Sequence, residues 1–248
     1  MADASPHVYR QYLIDYEYVV NDDTLFATMG HLVAFNPGPR DATLQVTIFY
    51  EDREPTAFSL PAPAGKSTES NYTKWPVQPN TRFALQVESS EPIICQATVG
   101  WTNTKNDYDP AATTKSPHGV RECAKSYMAI RHLGSDWYLA DGVVIDRPDQ
   151  LWIRESEWAV LFNPGETPTL VTMALYGHER TEHAIEVPAR RLRCVYMDDI
   201  VQRNVHYGVH ITGDQPLAAQ WLRTVNWYDR PDLMAFWSVP GTIGPLGS

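Results

Sequence analysis

The chain has 248 residues, 43% hydrophobic and 11% aromatic, enough to bury a core and unlike the composition of a disordered or fibrous chain. Thirty acidic against twenty basic side chains leave a formal charge of -10 at pH 7, which opposes a polyphosphate backbone and argues against a nucleic-acid partner. The longest apolar stretches, Trp158 to Phe162 and Leu233 to Trp237, fall far short of the roughly 20 residues that span a bilayer, so direct membrane insertion is not expected.

Met1 to Tyr18 mixes Asp3, Arg10, Asp15 and Glu17 with apolar residues, which is not the pattern of a secretory signal and reads as a cytoplasmic chain. Cys95, Cys123 and Cys194 are scattered without a Cys-x-x-Cys pair, so reduced thiols are expected rather than a disulfide framework or a thiolate metal site.

In chain order, the first strong signal is Phe35-Asn36-Pro37-Gly38, which recurs as Phe162-Asn163-Pro164-Gly165. Neighbouring matches keep nearly the same spacing: Tyr12-Leu13 with Tyr138-Leu139, Tyr50 with Tyr176, Pro63-Ala64 with Pro188-Ala189, Pro92 with Pro216, and Gln96 with Gln220. Internal repetition at this scale predicts two homologous domains, 9–132 and 133–243. The first copy carries an insertion at about 111–124, rich in Thr, Ser, Pro and Gly, which reads as a surface loop.

Within each copy the hydrophobic period is two, as in Leu44-Gln45-Val46-Thr47-Ile48-Phe49-Tyr50, the signature of a half-buried strand. Nineteen prolines and fourteen glycines punctuate short segments. The expectation is an all-β chain of two tandem antiparallel β-sandwich, jelly-roll-like domains related by pseudo-two-fold symmetry. The Asn-Pro-Gly tripeptides read as turns, because Pro presets φ and Gly accepts the left-handed region after it.

The run Trp137-Tyr138-Leu139-Ala140-Asp141-Gly142, then Leu161 to Gly165, Val187-Pro188-Ala189-Arg190-Arg191 and Gln215 to Arg223, resembles the sensory rhodopsin transducer family. The second copy carries the fuller set of motifs; the first has Gly65-Lys66 in place of Arg190-Arg191 and Val99 in place of Arg223. The resemblance implies a β-sandwich that assembles into homo-oligomers and a role in binding small molecules such as sugars. A rhodopsin partner does not follow from the fold alone.

No Walker-type, dinucleotide-binding or nucleophile-elbow motif is present in the sequence, so standard catalytic signatures are not indicated. Gln220 and Arg223 are polar residues in apolar strand sequence, where burial demands hydrogen bonds or a ligand; three apart, they face opposite sides of a regular strand. The segments Asn106, Tyr108, Asp109 and Asn226, Tyr228, Asp229 pair amide and carboxylate groups with nearby aromatic rings, the chemistry of carbohydrate recognition. With Trp137 and Arg190 as neighbours and Gln96 as the first-copy counterpart of Gln220, these form the expected ligand site.

His206 and His210 lie on strand sequence about 13 Å apart and cannot share an ion unaided, whereas His178 and His183 flank a hairpin end and are weak metal candidates. The functional expectation is a cytoplasmic small-molecule binding protein, most plausibly for a carbohydrate, that signals through oligomer contacts and needs no cofactor. The rival expectation is an enzyme on a similar molecule by acid/base chemistry with a divalent metal. A protein-partner scaffold is the third reading.

Overall fold

The computed structural model describes residues 8–18, 26–103, 123–147, 153–227 and 234–243. Among these the chain is all-β, and no helix is long and apolar enough to cross a membrane. In the first half the strands are β1 (Tyr9–Tyr18), β2 (Phe26–Phe35), β3 (Ala42–Tyr50), β4 (Thr56–Ala62), β5 (Ser67–Asn71), β6 (Thr81–Ser89), β7 (Ile94–Asn103) and β8 (Cys123–Met128). They form two antiparallel sheets, β1-β6-β3-β4 and β5-β2-β7-β8. Alternation places Leu44, Val46, Ile48 and Leu85 of one sheet against Leu32, Ala34, Ala97 and Val99 of the other, giving one core.

The second half contains β9 (Gly134–Val143), β10 (Asp146–Arg147), β11 (Ile153–Asn163), β12 (Thr169–Tyr176), β13 (Arg180–Val187), β14 (Arg191–Tyr196), β15 (His206–Trp227), β16 (Met234–Pro240) and β17 (Thr242–Ile243). Here one 22-residue strand, β15, serves both layers. Its first part pairs with β9 and β12, its last part with β11 and β16. The bend between the parts requires Gly213, because a Cβ there would lie 2.5 Å from Leu217 Cδ2 and 2.9 Å from the Gln215 carbonyl oxygen.

Cross-strand registers recur between the halves. Tyr12 pairs with Gln86 as Tyr138 pairs with His210; Val33 with Gln96 as Val160 with Gln220; Val46 with Phe58 as Met173 with His183. Even the bulge after Leu13 reappears after Leu139. The register corrects one sequence match: Phe49 lies opposite Ala84 as Tyr176 lies opposite Gly208, so Tyr176 holds the position of Phe49 rather than of Tyr50. A one-residue slip reverses the face a side chain occupies, which is why Tyr50 is buried and Tyr176 exposed.

In each Asn-Pro-Gly turn the asparagine does the holding. Asn36 Oδ1 accepts the Gly38 N–H at 2.9 Å while its amide donates to the carbonyls of Arg40 and Ala62, both at 2.8 Å. Asn163 repeats this with Gly165 at 2.9 Å, Thr167 at 2.8 Å and Val187 at 3.2 Å.

The β1-β6-β3 sheet is buried on both faces. Its inner face carries the first core, and Tyr12, Ile14, Phe49 and Ala84 on its outer face join the core of the second half. Phe162 meets Phe49 and Tyr12 edge-on, with ring centroids 5.0 and 6.1 Å apart. Arg82 lies 5.3 Å over the Trp158 ring, and Arg191 pairs with Glu54. This seam joins the outer face of β1-β6-β3 to the outer face of β14-β11-β15, two non-equivalent surfaces. A two-fold axis would bring equivalent surfaces together, so the expected pseudo-two-fold relation is replaced by a head-to-tail one.

Phe35 and Phe162 are equivalent in sequence but 39% and 0% exposed. Phe162→Ala is therefore expected to cost about 3–5 kcal/mol by opening the seam, against about 0.5 kcal/mol for Phe35→Ala. Chemical denaturation of the two variants checks the difference.

Candidate functional site

Glu155 and Glu157 of β11 share a strand face because they are two residues apart, and that face looks into the second sandwich. Arg223 of β15 stands directly opposite Glu157. Its Nε donates to Glu157 Oε1 at 2.5 Å and its Nη2 to the Asp141 carbonyl at 2.6 Å. Nη1 lies 3.7 Å from Glu155 Oε2 and 3.9 Å from Asp141 Oδ2. The other Glu157 oxygen accepts the Val143 N–H at 3.0 Å and the hydroxyl of Tyr207. All four side chains, Glu155, Glu157, Tyr207 and Arg223, are buried.

Loss of hydration raises both glutamates above the usual carboxylate range. For Glu157 the bond from Tyr207 and the Arg223 charge oppose the rise, and for Glu155 Arg223 opposes it while Glu157 adds to it. Burial, then the adjacent Glu157 carboxylate, pushes the Tyr207 hydroxyl up as well. Tyr207 can reach Glu157 because its ring lies on the bare backbone of Gly142, where a Cβ would stand 2.4 Å from Tyr207 Cε2.

Equivalent register positions in the first sandwich carry no such chemistry. Gly30 and Val99 form the cross-strand pair that corresponds to Glu157 and Arg223, and Phe83 takes the place of Tyr207, one residue beyond the matched bulge. Trp75 ends a short 3-10 turn, Tyr72–Lys74, as Ile200 ends Met197–Asp199. Trp75 stacks on Phe58 at 5.4 Å and meets Phe83 edge-on at 6.2 Å, which plugs that end of the first sandwich. The second sandwich has Ile200, His183 and Tyr207 there. A cavity of about 210 Å³ opens at this end, with Ile200, Val205, Tyr207, Leu175 and His178 in its wall. Nearby, His183 Nε2 is buried without a hydrogen-bond partner.

The structure divides the expected ligand residues among several places. Arg223 is the hub of the cluster, whereas Gln220 lies on the opposite face of β15, buried in the seam beside Val160. Gln96 is half-buried on the outer face of the first sandwich, between Val33 and Met128, so the two amides do not meet. Trp137 is a core residue whose indole donates to the carbonyls of Gly134 at 2.9 Å and Leu217 at 3.1 Å. Leu217 is six residues along β15 from Arg223, about 20 Å for an extended chain.

Arg190 belongs to the seam. It adopts a left-handed φ of 56°, as Gly65 does at 65°, and its guanidinium lies 5.8 Å over Phe49 and pairs with Glu166. The backbone of Asn226 continues β15 opposite Arg154; Tyr228, Asp229, Asn106, Tyr108, Asp109 and most of the 111–124 insertion lie outside the described residues. His178 is exposed and His183 half-buried on β13. Among the described residues no three His, Cys, Asp or Glu side chains are grouped to hold a metal. His210 pairs with Asp136 beneath a stacked Tyr138, and His206 lies 3.8 Å from Asp141. Cys95 is buried, which pushes its thiol up to about 12.

Sequence reasoning missed Glu155, Glu157 and Tyr207. The available signal was the repeat itself: Glu157 and Arg223 are charged where the first copy has Gly30 and Val99.

These paired sheets define an all-β protein of antiparallel, sandwich type. Residues 17–109 match the family model described as Anabaena sensory rhodopsin transducer, and the family resemblance read from the sequence is shown over that stretch, which lies in the first copy rather than the second. Among solved structures, "Thermotoga maritima 1070" matches with 13% identity and a TM-score of 0.38, covering 49% of this chain and 92% of that one. The structure titled "Anabaena sensory rhodopsin transducer" matches with 19% identity and a TM-score of 0.32, covering 36% of this chain and 85% of that one. No curated protein matches.

Two outcomes follow from the site geometry. The folded chain holds the Glu155 proton more tightly than the unfolded chain does, so stability falls as pH rises above the ordinary glutamate value of about 4.3. Glu155→Gln is expected to raise the melting temperature more at pH 7.5 than at pH 4.5, and melting curves at both values read it. Gly142→Ala is expected to drive Tyr207 off Glu157 at a cost of about 1–3 kcal/mol, visible as altered near-ultraviolet dichroism together with a lower denaturation midpoint.

Proposed function

We propose that the chain is a cytoplasmic binding module for a small polyhydroxylated metabolite, a sugar or polyol, and that it uses the open end of the second sandwich. The carrying observation is the exchange of the apolar set Gly30, Phe83 and Val99 for Glu157, Tyr207 and Arg223 at equivalent positions. The apolar set serves the first sandwich, so this architecture does not require buried charge there. Charge introduced at that cost supports a ligand role.

The chemistry of the ligand follows from the imbalance of the cluster. Three carboxylates, Glu155, Glu157 and Asp141, surround one guanidinium. Such a group is rich in acceptors and suits a molecule that presents several hydroxyl donors. The cavity at this end, about 210 Å³, shares Tyr207 with the cluster and is otherwise walled by residues such as Leu175, His178, Ile200 and Val205; it is smaller than the roughly 300–1,000 Å³ of drug-sized sites, which favours a monosaccharide-sized guest. The recurring registers also support reading 9–132 and 133–243 as two copies of one domain, of which only the second carries the site. Occupancy is passed on through protein contacts, which makes the module a sensor.

Arg223→Ala alone is a poor test, because it strands Glu157 and is expected to cost about 3–5 kcal/mol. The triple variant E157G/Y207F/R223V reproduces the first-sandwich set; Glu155, already raised by burial, takes a proton once Arg223 is gone, and the variant is expected to fold. Titration calorimetry against a panel of monosaccharides and polyols, with native mass spectrometry of the purified chain, is expected to find a ligand for the wild type and none for the triple variant. A wild type that carries no bound mass and binds no member of the panel, or a triple variant that binds as well as the wild type, overturns the reading.

A further inference from the structure

The two halves also differ where β1 and β9 begin. Tyr12 bridges to Ile130 as Tyr138 bridges to Thr242. One residue before these bridges the first half has Gln11 and the second Trp137, both buried. The two side chains make one hydrogen bond in common. Gln11 Nε2 donates to the Ile93 carbonyl at 2.5 Å and the Trp137 indole to the Leu217 carbonyl at 3.1 Å, each acceptor following a proline, Pro92 or Pro216.

The indole ring fits because Gly241 is bare: a Cβ there would lie 3.0 Å from Trp137 Cε3. Ala129 takes the place of Gly241 in the first half. Its N–H donates to the Cys95 carbonyl at 3.0 Å as that of Gly241 donates to Ala219 at 2.9 Å. The first half therefore keeps the polar bond and gives up the ring that fills this end of the second.

At this end of the first half lies a cavity of about 520 Å³, within the roughly 300–1,000 Å³ of small-molecule sites. Val8, Pro37, Pro92, Ile93 and Ile94 give it an apolar wall, while Arg10, Arg131 and His132 bring nitrogen donors to it. Among the described residues no carboxylate lines it. Glu91, next to Pro92, is held by Arg40 at 2.6 Å. Arg10 bonds Glu88 at 2.6 Å through Nε, which leaves the other donors of its five-donor fork. The second half has Asp136 and Ile243 in the places of Arg10 and Arg131. In a chain of net charge -10, two guanidinium groups around one cavity make it a local site for an anion.

A guanidinium fork matches a carboxylate bidentately, and the isoleucine and proline wall requires a hydrocarbon to cover it. We infer that the first sandwich binds a small monocarboxylic acid with an apolar body, of the size of an aryl or branched-chain acid. Arg131 and Arg10 take its carboxylate, and Ile93, Ile94 and Pro37 take its hydrocarbon. This site is separate from the Glu157 cluster and does not rest on the reading of that cluster as a sugar site.

Titration calorimetry of the full-length chain with benzoate, phenylacetate and isovalerate tests the inference. At least one of these acids is expected to bind, with its neutral alcohol analogue and inorganic phosphate each at least tenfold weaker. R131A is expected to weaken the acid at least tenfold at an unchanged melting temperature, because Arg131 is exposed. Q11W/A129G, which copies the Trp137 and Gly241 pair, is expected to abolish binding; R131A carries the test if that double variant does not fold. The E157G/Y207F/R223V variant is expected to bind the acid as the wild type does, so the two sites fail or stand separately. A wild type that binds none of the three acids, or binds phosphate as tightly as it binds them, overturns the inference, as does an R131A variant with wild-type affinity.

Discussion

Burial of one sheet on both of its faces is the constraint on which the rest of this structure depends. In β1-β6-β3, alternate residues serve two cores: Leu13, Ile48 and Leu85 look one way, Tyr12, Phe49 and Ala84 the other. A half-polar strand of an ordinary sandwich exposes one of those faces. Because this sheet does not, the two halves are packed through an aromatic seam that includes Phe162. The same packing makes the molecule asymmetric, since each half contributes a different face. The buried Gln220 and the remaining open surface of the second half follow from which face was covered.

The second feature is a trade of apolar packing for polar chemistry at one end of the second sandwich. The first sandwich closes that end with Trp75, Phe58 and Phe83. Its counterpart buries Glu157 in contact with both Arg223 and Tyr207 and leaves a cavity with Tyr207 in its wall. Buried ion pairs of this sort contribute little net stability compared with a hydrophobic set of similar volume. That the same architecture is built both ways in one chain separates what the fold requires from what has been added to it.

Much of the fold was legible in the sequence. Period-two alternation along Leu44 to Tyr50 and the repeated Phe-Asn-Pro-Gly turn predicted strands, sandwich and internal repetition; the strands and antiparallel sheets are as expected. The site was legible only in part. Arg223 stood out as a charge in an apolar strand, and the opposite orientation of Gln220 followed from their spacing. Trp137 and Arg190 were drawn toward the site by their residue types, yet one is a core indole and the other a seam guanidinium. Residue type states what a side chain is able to do; the distance to its neighbours states whether it does it.

Composition, periodicity and turn chemistry, all local properties, determined by themselves that this chain is all-β, that the Phe-Asn-Pro-Gly turn occurs twice along it, and that an arginine lies in apolar strand sequence near its end. Which face of each sheet is covered, which partner stands opposite Arg223, and which phenylalanine of the repeated turn is buried were decided only by tertiary structure. The physical reason is that a strand presents the same alternation whether its second face meets solvent or another sheet. A cross-strand partner is set by register over a separation of 66 residues, which no local pattern encodes.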